Sequence, residues 1–152
     1  MNYWLLKSEP SVFGIADLKK KKQTIWDGVR NYQARNHLRT ARAGDLAFFY
    51  HSSSAAIGIA GLCKVVEANV DDPTQFDPKS AYYDLKSTRD VPRWQTVCVE
   101  FVEMFASVVT LDELKANFTG DELLVVRKGM RLSVMPVSAA AAKRILALAQ
   151  KK

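Results

Sequence analysis

The sequence predicts an α+β fold, with five or six mostly antiparallel strands closed into a small barrel and short helices around it. Three observations predict it. Five stretches carry the apolar or alternating pattern of strands. Two sites, Thr110 and Ser138, have the chemistry of helix starts. No repeat or linker interrupts the 152 residues, so residues 1–152 are expected to form a single domain able to bury a core without staples.

Taken in order, Tyr3–Lys7 is aromatic and aliphatic enough for a first strand, which Pro10 ends. Ser11 opens a helix to about Lys20, and the four lysines Lys19–Lys22 complement its C-terminal dipole. Gln23–Val29 leads into a second helix over roughly Asn31–Thr40, followed by turn chemistry at Arg42–Asp45. Asp45–His51 reads as a buried strand, and Ile57–Val66 as its antiparallel partner. There Gly58, Ala60 and Gly61 leave room for a backbone or a ligand to approach. Asn69–Ser80 is a loop rich in Asp and Pro, and Tyr82–Asp84 a brief edge strand. Arg93–Phe105 alternates as a long strand. Thr110 and Glu113 form a capping box for a helix to about Asn117, with Gly120 terminating that unit. Leu132–Val137 is the last strand, and Ser138 caps a helix over Ala139–Gln150.

Composition narrows the function classes. Hydrophobic residues make up 48% and charged residues 25%, ordinary for a water-soluble globular chain. Met1–Leu6 lacks a basic leader, and Glu100 and Glu103 break the longest later apolar stretch, so neither an export signal nor a membrane span is expected. Cys63 and Cys98 lie inside apolar runs without metal-ligand spacing; reduced, buried thiols and a cytoplasmic location are the expectation. Charge is unevenly spread. Residues 1–50 hold nine Lys/Arg against four acids, residues 51–126 six against twelve, and residues 127–152 seven against none. With the chain ends side by side, one face is basic, which suits a polyanion.

Enzyme chemistry finds little support. No phosphate-binding glycine motif occurs, the two histidines lack cysteines at ligand spacing, and Ser52–Ser54 has no nucleophile elbow. Cys63 and Cys98 read as core rather than as nucleophiles, while Glu9 and Asp27 remain the candidates for acid/base work.

Ile25–Asn36 has a different composition: a large aromatic, Gly28, two Asn, two Arg and Tyr32. Stacking a base on Trp26 gains roughly 1–3 kcal/mol, whereas extruding one from a duplex costs a few kcal/mol. Trp26 therefore needs help. Asn31 and Asn36 can read a base edge, and Arg30, Arg35, Arg131 and Lys7 can hold phosphates. A methyl group adds only roughly 0.8 kcal/mol on burial, about a fourfold preference, so stronger discrimination needs a shaped, hydrogen-bonding site. Each residue also has a structural reading: Trp26 as a core anchor, Asn31 and Asn36 as helix caps, His51 as a strand-end residue bonded to backbone.

Several blocks together resemble one family. Tyr3–Pro10, Trp26–Asn36, Gly44–Ser52, Ile57–Gly61 and Gly129–Val137 resemble, in order and across nearly the whole chain, the motifs of EVE domains. The resemblance implies a PUA-like barrel related to the YTH readers of methylated adenine, in a family regarded as binding modified bases rather than as enzymes. It places a pocket between the end of the first strand, the Trp26 loop and the final strand. By motif position it nominates Lys7, Ser8, Trp26, Val29, Asn31, Arg35, Asn36, His51, Arg131 and Ser133, with Trp94 as a second aromatic wall. Asn69–Arg93 is the part least like the family. The expected partner is DNA or RNA carrying a modified base, bound by a monomer with no cofactor and no metal. The alternatives are a small enzyme acting on a nucleobase or nucleotide, and a protein-interaction module.

Overall fold

The computed structural model describes residues 1–152. Its strands are β1 (Tyr3–Ser8), β2 (Gln23–Ile25), β3 (Leu46–His51), β4 (Gly58–Asp71), β5 (Gln95–Thr110) and β6 (Val134–Val137). Its helices are α1 (Pro10–Phe13), α2 (Ile15–Lys21), α3 (Tyr32–Thr40), α4 (Leu111–Asn117) and α5 (Ala139–Gln150), with 3₁₀ turns at Pro73–Phe76 and Leu124–Val126.

All six strands join one mixed sheet in the order β2-β5-β4-β3-β1-β6. Every neighbouring pair is antiparallel except β1 and β3, which run parallel from Tyr3 opposite Leu46 to Ser8 opposite His51. Side chains alternate across a strand, so β1 and β3 feed two cores. Trp4, Leu6, Ala47 and Phe49 face one, with Ile15 and Leu18 of α2, Ala34 and Leu38 of α3, and Trp26. Leu5, Phe48 and Tyr50 face the other, with Leu114 of α4 and Ala141, Ala142 and Ile145 of α5. Burial on both faces explains why Leu46–Tyr50 is a continuous apolar run rather than an alternating one.

Local chemistry sets most boundaries. Thr110 accepts from the Glu113 N–H while Glu113 accepts from the Thr110 N–H, and Ser138 Oγ accepts from the Ala141 N–H at 3.1 Å. Side-chain caps of this kind contribute about 1 kcal/mol each. The single helix expected over Ser11–Lys20 is instead two, because Gly14 is extended between them and its N–H donates to Asp17 Oδ2 at 2.7 Å. The close approach expected at Gly58 and Gly61 is made by protein. A Cβ on Gly58 would strike the backbone of Val109 and Thr110, and one on Gly61 the Glu103 carbonyl and the Ile15 side chain.

β4 and β5 run further than their patterns indicate, through Asp71 and Thr110, as a bulged antiparallel pair that continues past the core. β6 starts at Val134 rather than Leu132. No strand forms at Tyr82–Asp84. That stretch is a turn, with the Tyr83 N–H donating to Ser80 O and the Asp84 N–H to Gln75 O. Cys63 is fully buried, whereas Cys98 is only partly so.

Candidate functional site

β2 delivers Trp26 to the sheet. The Trp26 N–H donates to Val97 O at 2.9 Å, its carbonyl accepts from Thr96 Oγ1 at 2.5 Å, and its ring stands edge-on to Phe49 at 5.3 Å. Asn31 then starts α3 by accepting from the Ala34 N–H at 3.0 Å. Between them the chain turns at Gly28, where φ is +82°. Buried Asp72 fixes this turn. Its carboxylate accepts from the Gly28 N–H at 2.8 Å and from Arg30 Nη1 at 3.0 Å, and from the backbone and hydroxyl of Thr74. Arg30 gives its remaining donors to Val29 O, Tyr82 O and Thr74 Oγ1, and its guanidinium lies 5.0 Å from the Trp94 ring. Arg30 is thus a clamp, with no donor left over for a phosphate.

A cavity of about 1040 Å³ opens beside this loop. Of the residues expected at a site, Lys7, Ser8, Trp26, Val29, Arg131 and Ser133 line it, together with Glu9, Phe13, Asp27, Ser52 and Tyr82. They come from the end of β1, the Trp26 loop and the stretch before β6. The parallel pairing of β1 with β3 brings Lys7-Ser8 and His51-Ser52 to the same end of the sheet, and the Lys7 N–H donates to Ser133 O at 2.9 Å. Trp26 is only 7% exposed, so it gives the cavity little free surface; Tyr82 is 41% exposed.

Asn31, Arg35, Asn36 and His51 do not line this cavity, and neither does Trp94. The Asn31 amide oxygen is spent as a helix cap. Arg35 donates to Arg93 O and to Asn36 Oδ1, and its guanidinium lies 4.6 Å from the Tyr32 ring. Tyr32 in turn stacks on buried Trp94 at 4.9 Å, and Trp94 Nε1 donates to Asp84 Oδ2. These residues form an aromatic–guanidinium stack on the side of α3. His51 Nε2 accepts from the Ile15 N–H at 3.1 Å, so it positions the start of α2.

The cavity is electrostatically mixed. Lys7 is half-buried with no ion pair, its ammonium 5.6 Å from the Tyr50 ring, and burial pushes its pKa down. Arg131 is exposed and unpaired. Burial, and secondarily the charge on Asp72, push the Asp27 carboxyl up. The Ser8 hydroxyl donates to Phe13 O at 2.6 Å, leaving its oxygen as an acceptor. Burial pushes the Cys63 thiol up to about 12, so it carries negligible thiolate near neutrality. No three His, Cys, Asp or Glu side chains are grouped to hold a metal.

A family model described as the EVE domain matches residues 2–148. The chain belongs to the EVE domain family. This EVE domain is 41% identical to human thymocyte nuclear protein 1, over 99% of the chain and 75% of that relative. A crystal structure of a protein from Pseudomonas syringae superposes with a TM-score of 0.93 at 50% identity, covering 97% of this chain and 99% of that one. The crystal structure of human THYN1 protein in complex with 5-methylcytosine-containing DNA superposes at 0.89 and 40% identity, covering 100% and 99%. The Mmi1 YTH domain shares the fold at 11% identity, with a TM-score of 0.58, covering 99% and 88%.

Sequence reasoning missed the residues that hold the EVE domain's loop in shape: Asp72, Gln75 and Tyr82. Asp72-Pro73 carried a signal, because Asp before Pro favours a turn start. Gln75 carried none, yet it is fully buried. Its amide donates to Asp72 O and Trp94 O and accepts from Ser87 Oγ and the Trp94 N–H.

Proposed function

We propose that this EVE domain is a non-catalytic nucleic-acid-binding module that takes a modified base of DNA or RNA into the cavity beside Trp26. The observation that carries the reading is the pairing of two uncommitted cations, Lys7 and Arg131, with aromatic surface from Phe13, Trp26 and Tyr82 around one concave space. A nucleotide has a base with a flat apolar face and polar edges, and a phosphate, and the cavity offers a group for each. Ser8, Ser133 and the carboxylates of Glu9 and Asp27 supply edge contacts, Val29 the apolar contact. The human relative solved with 5-methylcytosine-containing DNA supports the same reading. The free thiols of Cys63 and Cys98 favour a reducing compartment such as the cytoplasm, and the module works as a monomer.

The test is binding to oligonucleotides carrying a panel of modified bases, single- and double-stranded. Wild type should prefer at least one modification over the plain base. Trp26→Ala should erase that preference, and Arg131→Ala, at an exposed position, should weaken binding with the fold intact. A flat response across the panel overturns the proposal.

One observation favours a second reading, a small enzyme acting on a modified nucleobase or nucleotide. Asp27 lines the cavity with a carboxyl that burial pushes above its ordinary value. Turnover of a modified nucleoside that Asp27→Asn abolishes would decide for it.

A further inference from the structure

A second cavity, of about 630 Å³, adjoins the first, and Lys7 and Ser52 border both. Its charged lining is entirely cationic: Lys7, Lys115, Arg127 and Lys128, with no carboxylate among the lining residues. Leu111, Val126 and Met130 give it an apolar wall. Lys7, Lys115 and Lys128 make no ion pair; Arg127 donates to Gly120 O at 3.5 Å and pairs only with Asp121, at 3.4 Å, and that carboxylate is 98% exposed. Such an exposed pair is worth little, so all four cations are open to a ligand.

These features separate an occupied site from a solvated charge patch. Lys7 is half-buried without a counter-ion, which is costly for the free protein, and it stands in the wall common to both cavities. An anion at Lys7 therefore touches both occupants. The apolar wall asks for more than an inorganic anion, and the lack of carboxylates favours a polyanion over a peptide of mixed charge. A nucleotide strand has this chemistry, with a phosphodiester between two planar apolar groups.

We propose that the second cavity holds the nucleotide adjoining the base in the first, with Lys7 at the phosphate between them and Lys115 and Lys128 at the next phosphate. This rests on the reader function proposed above. It extends the footprint from one base to a dinucleotide step with polarity along the groove.

The experiment compares wild type with Lys115→Ala/Lys128→Ala, two exposed positions, on a single-stranded oligonucleotide bearing the best modified base and on the corresponding nucleoside monophosphate. Salt is varied, and thermal melts check the fold. The double variant should lose about tenfold or more in oligonucleotide affinity and show a shallower salt slope, by about 0.7 per lost phosphate contact. Its affinity for the monophosphate should not change. Equal affinity and equal salt slope in both proteins overturn the proposal. Inorganic phosphate displacing the oligonucleotide at concentrations that fill the cavity by itself would reassign it to free anions and likewise overturn it. If wild type binds strands without any base preference, the reader function falls, while the variant still decides the second cavity. No strand binding by wild type overturns both.

Discussion

Tyr82 closes over Gly28 so tightly that a Cβ at position 28 would lie 2.7 Å from its ring. Gly28 also has φ +82°, a conformation that side chains with a Cβ rarely adopt. Gly28→Ala should therefore cost about 1–2 kcal/mol in chemical denaturation and weaken ligand binding by moving the loop. Tyr82→Ala in the same chain removes the clash but not the backbone strain, so it should restore only part of the stability. Full restoration would assign the whole cost to the ring.

His51 accepts from the Ile15 N–H through Nε2, which requires a ring unprotonated at that nitrogen. Burial lowers its pKa below 6.5, and the charge of Asp17 opposes part of that shift. A histidine with a depressed folded-state value contributes stability above the unfolded value and loses it as pH falls. Wild-type stability should thus decline as pH drops from 6.5 through that lower value, and His51→Gln should flatten part of the slope. His37, also lowered by burial, contributes in the same direction. An unchanged pH profile in His51→Gln would rule out this contribution.

Lys7 presents the opposite balance of stability and binding. Lys7→Met should raise the stability of the free protein by about 0.5–1 kcal/mol, because an uncompensated half-buried charge is removed. The same change should reduce oligonucleotide affinity at least several-fold. Because burial lowers the Lys7 pKa, wild-type stability should rise with pH between that lowered value and 10.5, and Lys7→Met should lack this rise. Binding should weaken across the same interval.

Glu9 and Asp27 bear on which ring is chosen. Carboxylates accept from an exocyclic amine and repel a carbonyl, so under the function proposed above the pair should favour 5-methylcytosine over thymine, which carries the same methyl. Glu9→Gln and Asp27→Asn should narrow that difference in paired oligonucleotides. Asp27 is raised above its ordinary 3.8, so stability is lost as pH climbs through its folded value. Asp27→Asn should accordingly be slightly more stable than wild type at pH 7, by up to about 0.5 kcal/mol.

Legibility in the sequence followed the range of the interactions. Thr110, Ser138 and Asn31 were readable as caps because their partners lie three residues away. The strand at Leu46–His51 was readable from burial on both faces. Motif order placed Lys7, Ser8, Trp26, Val29, Arg131 and Ser133 around one space. Asn31, Arg35, Asn36 and His51, nominated in the same way, lie outside that space, because order along the chain does not say where a side chain points. The segment least like the family, Asn69–Arg93, contains the Asp72 clamp, and its contacts to Gly28 and Arg30 span more than forty residues. No local pattern announces a pairing of that range, nor the parallel alignment of β1 with β3.

That parallel alignment also sets when the site comes into being. Parallel neighbours cannot be joined by a tight turn, and the connection here, residues 9–45, is itself the stretch that carries α1, α2, β2, the Trp26 loop and α3. Its ends meet only after a loop of some forty residues has closed, a step that local structure does not reward until the strands register. Lys7-Ser8 and Ser52 come together at that moment and not before. The cavity also draws on Arg131 and Ser133, which reach Lys7 only through the pairing of β1 with β6, so it is complete only when both ends of the chain are in the sheet.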